Sequence, residues 1–179
     1  DLDGGRGTDD IDGGSGNDLI HGREDTDNLY GGDGNDEVLG GDGVDNVNGG
    51  VGNDTVVGGA GPDFIFGDEG DDTLLGVSGG PDEFVGGEGI DTVTYAGSPE
   101  NLVVALDGLA NDGAPGEGDS VPASIERVVG GDRGDFLFGS DSLGRDLAAG
   151  LVHGALLDEY AAPYPPGRRL SLFIGFLCG

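Results

Sequence analysis

Residues 31–66 read GGDGNDEVL, GGDGVDNVN, GGVGNDTVV and GGAGPDFIF, four consecutive nonapeptides in one phase. Glycine holds position 4 of each, aspartate position 6 and a branched aliphatic residue position 8. The same phase runs outward in both directions. Upstream lie GGRGTDDID (4–12), GGSGNDLIH (13–21) and a worn copy, GREDTDNLY (22–30). Downstream lie GDEGDDTLL (67–75), GVSGGPDEFV (76–85, one residue longer) and GGEGIDTVT (86–94). Position 6 is aspartate in all ten copies: Asp9, Asp18, Asp27, Asp36, Asp45, Asp54, Asp63, Asp72, Asp82 and Asp91. Position 8 is apolar in all ten: Ile11, Ile20, Leu29, Val38, Val47, Val56, Ile65, Leu74, Phe84 and Val93. Asp1-Leu2-Asp3 match the last three positions of a further copy, so the chain is read as starting inside the array. Collagen is excluded, because glycine does not recur every third residue.

Each copy divides in two. The first six residues, rich in glycine and aspartate, favour turns. The last three are x-apolar-x, a short strand with one side chain facing inward. Such a strand is too short to stand alone. Stacked copies can pair as parallel strands and align their apolar residues into one core. Two turns and two strands close a coil, which places copy n against copy n+2, eighteen residues on.

This stacking sets Asp27 over Asp9 and Asp45 over Asp27. Carboxylates so close do not stay ionised together without compensation. Aspartates beside bare turn carbonyls form a cage of hard oxygen ligands, which suits Ca²⁺ with its six to eight oxygens. Mg²⁺ demands a strict octahedron and keeps its water, and Zn²⁺ lacks its histidine and cysteine ligands. Turn formation alone would explain a mixture of aspartate and asparagine, but position 6 holds ten aspartates and no asparagine. Ten copies give eight n/n+2 pairs, hence up to about eight ions.

GGSGNDLIH, GGDGNDEVL and GGVGNDTVV resemble the GGxGxDxUx nonapeptide of the RTX (repeats-in-toxin, haemolysin-type) calcium-binding proteins. The likeness covers about residues 1–94 and returns as GGDRGDFLF at 130–138. It implies an all-β fold: a right-handed parallel β-roll, or β-solenoid, of nonapeptide repeats. It also implies calcium held between successive turns by the ten position-6 aspartates, with Asp135 as a further ligand. The carbonyl donors it implies come from Gly14, Gly16, Gly32, Gly34, Gly41, Gly43, Gly50, Gly52, Gly59 and Gly61. It further implies a bacterial protein exported by type I secretion that folds on Ca²⁺ outside the cell. Arg23, Asp25, Asp68 and Val77 stand where the pattern has glycine, so turns touching them are expected to bind less well.

The composition agrees with this reading and removes others. The 179 residues carry 36 acidic and 7 basic side chains, for a net charge of −29. Residues 1–94 alone hold −22. No basic face for nucleic acid is available, and docking on an anionic membrane is disfavoured. No apolar run is long enough to span a bilayer, no signal peptide is present, and one cysteine makes no disulfide framework. His21 and His153 are read as surface residues and Cys178 is given no role. With no nucleophile elbow, phosphate loop or zinc-protease helix motif, the chain is not read as an enzyme.

After Thr94 the period stops. The division expected is the repeat array at 1–94, a strand–loop spacer or cap at 95–129, one returning repeat at 130–141 and an irregular, unassigned tail at 142–179. Asn101–Leu106 is a strand candidate. Residues 107–120 fail the EF-hand template and are read as a solvated acidic loop, weak ion binding being the alternative. Ala123–Val129 leads back to the returning repeat. On the outer face of one sheet, Leu39, Val57 and Leu75 are expected to form an exposed apolar stripe, read first as isolated strand-favouring residues and alternatively as a surface for a neighbouring domain or for self-association. Phe64 and Phe66 lie outward on the other sheet. Three settings remain open: a calcium-binding module in itself, the tail of a secreted RTX hydrolase or toxin, or a spacer in an adhesin or surface layer.

Overall fold

The computed structural model describes residues 1–75, 79–140, 146–148 and 159–161. Val77, His153, Cys178 and most of the tail at 142–179 lie outside the described residues. In chain order the strands begin with Leu2–Arg6 (β1), Asp10–Ser15 (β2), Leu19–Glu24 (β3), Asn28–Asp33 (β4), Glu37–Asp42 (β5) and Asn46–Val51 (β6). Thr55–Ala60 (β7), Phe64–Glu69 (β8), Thr73–Leu75 (β9), Glu83–Glu88 (β10) and Thr92–Thr94 (β11) complete the array. Val103–Ala105 (β12), Arg127–Val129 (β13), Phe136–Ser140 (β14), Asp146–Ala148 (β15) and Glu159–Ala161 (β16) follow. Among the described residues no helix is long and apolar enough to cross a membrane.

Alternate strands build two sheets. One runs β1-β3-β5-β7-β9-β11-β13-β16 and the other β2-β4-β6-β8-β10. Pairing within the array is parallel and in the eighteen-residue register, as in Ile20↔Val38 and Val38↔Val56, and Leu29↔Val47. The extra residue of the copy at 76–85 shifts the spacing to nineteen without breaking the register, since Phe84 still opposes Ile65 and Val93 opposes Leu74. The fold is a parallel β-solenoid of the β-roll kind.

Position-8 side chains from Ile20 to Val93 are buried and form one continuous column between the sheets. Leu2 and Ile11, at the first coil, pack against that column but stay partly exposed. The strands are longer than the three residues expected from x-apolar-x. Most span six, such as Glu37–Asp42 (EVLGGD), because the two glycines and the third residue of the next copy continue the ladder. The turn proper is only positions 4 to 6. A glycine pair has no side chain to conflict with parallel pairing, so its composition alone reads as turn.

The worn copies keep this backbone. Position 2, and position 4 in most copies, take left-handed φ values, as at Gly32 (111°) and Gly52 (133°). Arg23 (φ 93°), Asp25 (φ 80°) and Asp68 (φ 74°) adopt the same region despite carrying a Cβ, at a cost of about 1–2 kcal/mol per residue. Stacking against regular neighbours on both sides imposes it.

Residues 95–129 make a wider coil on the end of the solenoid. β13 pairs with β11 through Val93↔Val128, and Ser120 bridges Glu83 in parallel. Tyr95, Leu102, Val104, Leu106, Val121 and Ile125 are buried and continue the core. The ring of Phe84 meets that of Tyr95 edge to face at 6.5 Å. β12 falls inside the expected strand 101–106 and pairs with β14 of the returning repeat through Val104↔Leu137. β15 and β16 add antiparallel pairings to β14 and β13.

Two expectations need correction. The segment 107–120 is not simply a solvated loop: Asp112 and Asp119 are buried and accept hydrogen bonds from Ala105, Val121 and Asp82 main-chain amides. The stripe Leu39, Val57 and Leu75 is in register but half-buried rather than exposed, because neighbours on a parallel sheet stand close enough to shield one another. Phe64 is exposed as expected, while Phe66 is half-buried.

Candidate metal centre

The turns bring the ten position-6 aspartates into two ladders. Asp9, Asp27, Asp45, Asp63 and Asp82 follow one edge of the solenoid, and Asp18, Asp36, Asp54, Asp72 and Asp91 the other. From Asp27 onward each rung is 0–3% exposed, while Asp9 and Asp18 are half-buried. A regular bond fixes every rung. The Asp27 main-chain N–H donates to Oδ1 of Asp45 at 2.9 Å, and the Asp36 N–H to Oδ1 of Asp54 at 2.7 Å. The pattern persists across the nineteen-residue steps, Asp63 to Asp82 and Asp72 to Asp91, at 3.0 Å.

The second oxygen is different in nine of the ten. Oδ2 of Asp9, Asp18, Asp27, Asp36, Asp45, Asp54, Asp63, Asp72 and Asp91 is buried and has no hydrogen-bond partner. Around most of them lies a small cradle. A methyl group built on Gly40 would meet Oδ2 of Asp45 at 2.7 Å and also the Gly58 carbonyl oxygen. On Gly49 it would meet Oδ2 of Asp54 at 2.6 Å and the Gly67 carbonyl oxygen at 3.0 Å. Two acceptors thus lie close together, and no N–H or O–H donates to the carboxylate oxygen. Buried oxygens of this kind call for a cation.

Electrostatics point the same way. Burial pushes the carboxyl of Asp63 up to about 6 and that of Asp72 up to about 6, against hydrogen bonds that pull it down, and the neighbouring aspartates add to the rise. Asp82 is pushed up to about 8, by burial first and then by the charge of Asp119. Asp45, Asp54 and Asp91 move upward for the same leading reason. A protein that buries a row of carboxylates and leaves nine of them a bare oxygen is short of positive charge along both edges.

The glycines expected as carbonyl donors also stack. The carbonyls of Gly14, Gly32 and Gly41 point at the α-carbons of Gly32, Gly50 and Gly59, and those of Gly16, Gly34 and Gly43 at Gly34, Gly52 and Gly61. The Gly50, Gly52, Gly59 and Gly61 positions continue these rows. Sequence reasoning missed the glycine of position 1, which lies nearest the bare Oδ2. Its signal was present: position 1 is glycine in all ten copies. Asp135 differs from the array. Its Oδ1 accepts from the Leu102 N–H at 2.9 Å and its Oδ2 from the Gly131 N–H at 2.8 Å, so both oxygens are satisfied. Among the described residues no three acidic, histidine or cysteine side chains gather at one point. The oxygens available at each rung are carboxylate and main-chain carbonyl, the donor set of a hard cation.

Residues 3–38, 21–56 and 48–80 match a family model described as the RTX calcium-binding nonapeptide repeat (4 copies). No curated protein and no solved structure matches the chain. Glycine pairs, aspartate ladders and apolar column run through the matched stretch and continue past it to Asp91 and Val93: over residues 3–80 the chain is similar to the RTX calcium-binding nonapeptide repeat family.

Proposed function

We propose that the array takes up several Ca²⁺ ions between successive coils and that its folding depends on them. The observation that carries this reading is the row of buried aspartate Oδ2 atoms without partners, most of them close to a main-chain carbonyl of the next coil. The ligands in this reading are the position-6 aspartates, Asp9 to Asp91, with turn glycine carbonyls. Ca²⁺ supplies charge compensation and bridges neighbouring coils, and the protein supplies oxygens in a flexible geometry. Asp135, with both oxygens already bonded, stands outside this set.

The charge of −22 over residues 1–94 supports coupling of folding to uptake, since the solenoid gathers these charges and metal-site energy is then folding energy. The setting that fits is outside a bacterial cell, with the chain exported unfolded and ordered on meeting calcium. In this role the array is a structural binding module, not a catalytic one. The test is calorimetric titration of the 179-residue chain with Ca²⁺, followed in parallel by circular dichroism. Uptake of several ions with growth of a strand spectrum is expected. No uptake, or uptake unchanged in Asp45→Ala with Asp54→Ala, would overturn the reading.

A further inference from the structure

The ladders do not stop where the nonapeptides stop. Ser120 pairs with Glu83 and Arg127 with Thr92, which sets Asp119-Ser120-Val121 and Glu126-Arg127-Val128 in register as positions 6, 7 and 8 of one more coil. Val121 and Val128 accordingly lie in the core. Asp119 Oδ1 accepts from the Asp82 N–H at 3.0 Å, and Glu126 Oε2 accepts from the Asp91 N–H at 2.9 Å, the bond that fixes every rung below.

The two ladders end differently. On one, the Tyr95 hydroxyl donates to Oδ2 of Asp119 at 3.0 Å, so the oxygen left bare in the array is satisfied by protein. On the other, Oδ2 of the fully buried Asp91 has no partner. Its cradle is nonetheless complete: a methyl group on Gly86 would meet that oxygen and also the Ser124 carbonyl oxygen. Ser124 therefore takes the place that a position-1 glycine carbonyl holds at the other rungs, such as Gly58 beside Asp45.

We propose that Asp91, the Ser124 carbonyl and Glu126 form a further Ca²⁺ site, built by the spacer coil and not signalled by the nonapeptide pattern. The site rests on the calcium reading of the array. All its donors are hard oxygens, and two are carboxylates, so it takes the same class of divalent cation. On the other ladder the counterpart of Glu126 is Asp119, whose Oδ2 already takes a proton from the Tyr95 hydroxyl.

Counting bound ions by native mass spectrometry on the whole chain, equilibrated with Ca²⁺ alone, tests this. Glu126→Gln keeps an amide oxygen to accept the Asp91 N–H and removes the charge; it is expected to hold one ion fewer than the parent. Glu83→Gln, an exposed neighbour, is expected to hold the parent number. Asp91→Asn borders a site on each side and is expected to lose two. Equal counts in the parent and Glu126→Gln, with the parent loaded, would overturn the proposal alone. A parent that takes up no ions would fail the array reading and this site with it.

Discussion

The main-chain N–H of Asp36 donates to one oxygen of Asp54, eighteen residues later, at 2.7 Å, while the other oxygen of Asp54 is buried with no partner. One carboxylate thus does two jobs. It locks adjacent coils in register, and it leaves a charged oxygen that water cannot reach. The first favours the fold at any calcium level, and the second penalises it until a cation arrives.

The pH dependence of the metal-free chain follows. The carboxyls of Asp63, Asp72, Asp112 and Asp119 are pushed up to about 6, and that of Asp82 up to about 8, chiefly by burial. An aspartate whose folded value exceeds its unfolded one favours the fold when protonated. Its contribution is complete below the ordinary aspartate value of 3.8 and is lost as pH rises through the folded value. Calcium-free protein should therefore gain strand signal in circular dichroism as pH falls from about 8 to about 4, the reverse of ordinary acid denaturation. A signal that falls across that window would contradict the burial of these groups.

Asp54→Asn should have opposite effects with and without calcium. The amide oxygen still accepts the Asp36 N–H, and the amide nitrogen can donate toward the Gly67 carbonyl. Without calcium at neutral pH the variant should be more stable by about 1 kcal/mol, the net worth of an ordinary hydrogen bond. With calcium it should bind fewer ions and melt lower than the parent. Thermal melts in chelator and in calcium give both signs.

Position-1 glycine should tolerate no side chain. A methyl group at Gly31 would collide with the Gly49 carbonyl and with Oδ2 of Asp36 at 2.6 Å. Gly31→Ala should cost about 3 kcal/mol, at the upper end for overpacking, since both obstacles are held by the ladder. Denaturant unfolding in calcium measures it.

Asp68→Gly should stabilise. Asp68 holds φ at 74°, and although its Oδ2 accepts from Asn48 Nδ2 at 2.8 Å, that bond is solvent-exposed. Release of left-handed strain should raise stability by about 1 kcal/mol in the same unfolding assay.

Tyr95→Phe keeps the edge-to-face contact with Phe84 and removes the proton that satisfies Asp119. The bare carboxylate oxygen should cost about 1–3 kcal/mol in chelator. Scanning calorimetry would register it as a lower melting temperature.

The nonapeptide period by itself determined the solenoid, the n/n+2 pairing and the inward column from Ile20 to Val93, because a position that recurs every nine residues meets its equivalent in the coil two copies on. The same period marked the aspartate ladders. What the sequence did not reveal is where repeats yield to other chemistry. Asp119-Ser-Val and Glu126-Arg-Val carry only three positions of the pattern, too few to recognise in the chain, yet the structure sets them in the same ladders as Asp82 and Asp91. Nor does composition tell a glycine pair in a strand from one in a turn, since the difference lies in which backbone stands beside it. Local periodicity fixes what stacks; long-range pairing alone decides which oxygens are left bare, because only the neighbouring coil can bring a donor within reach.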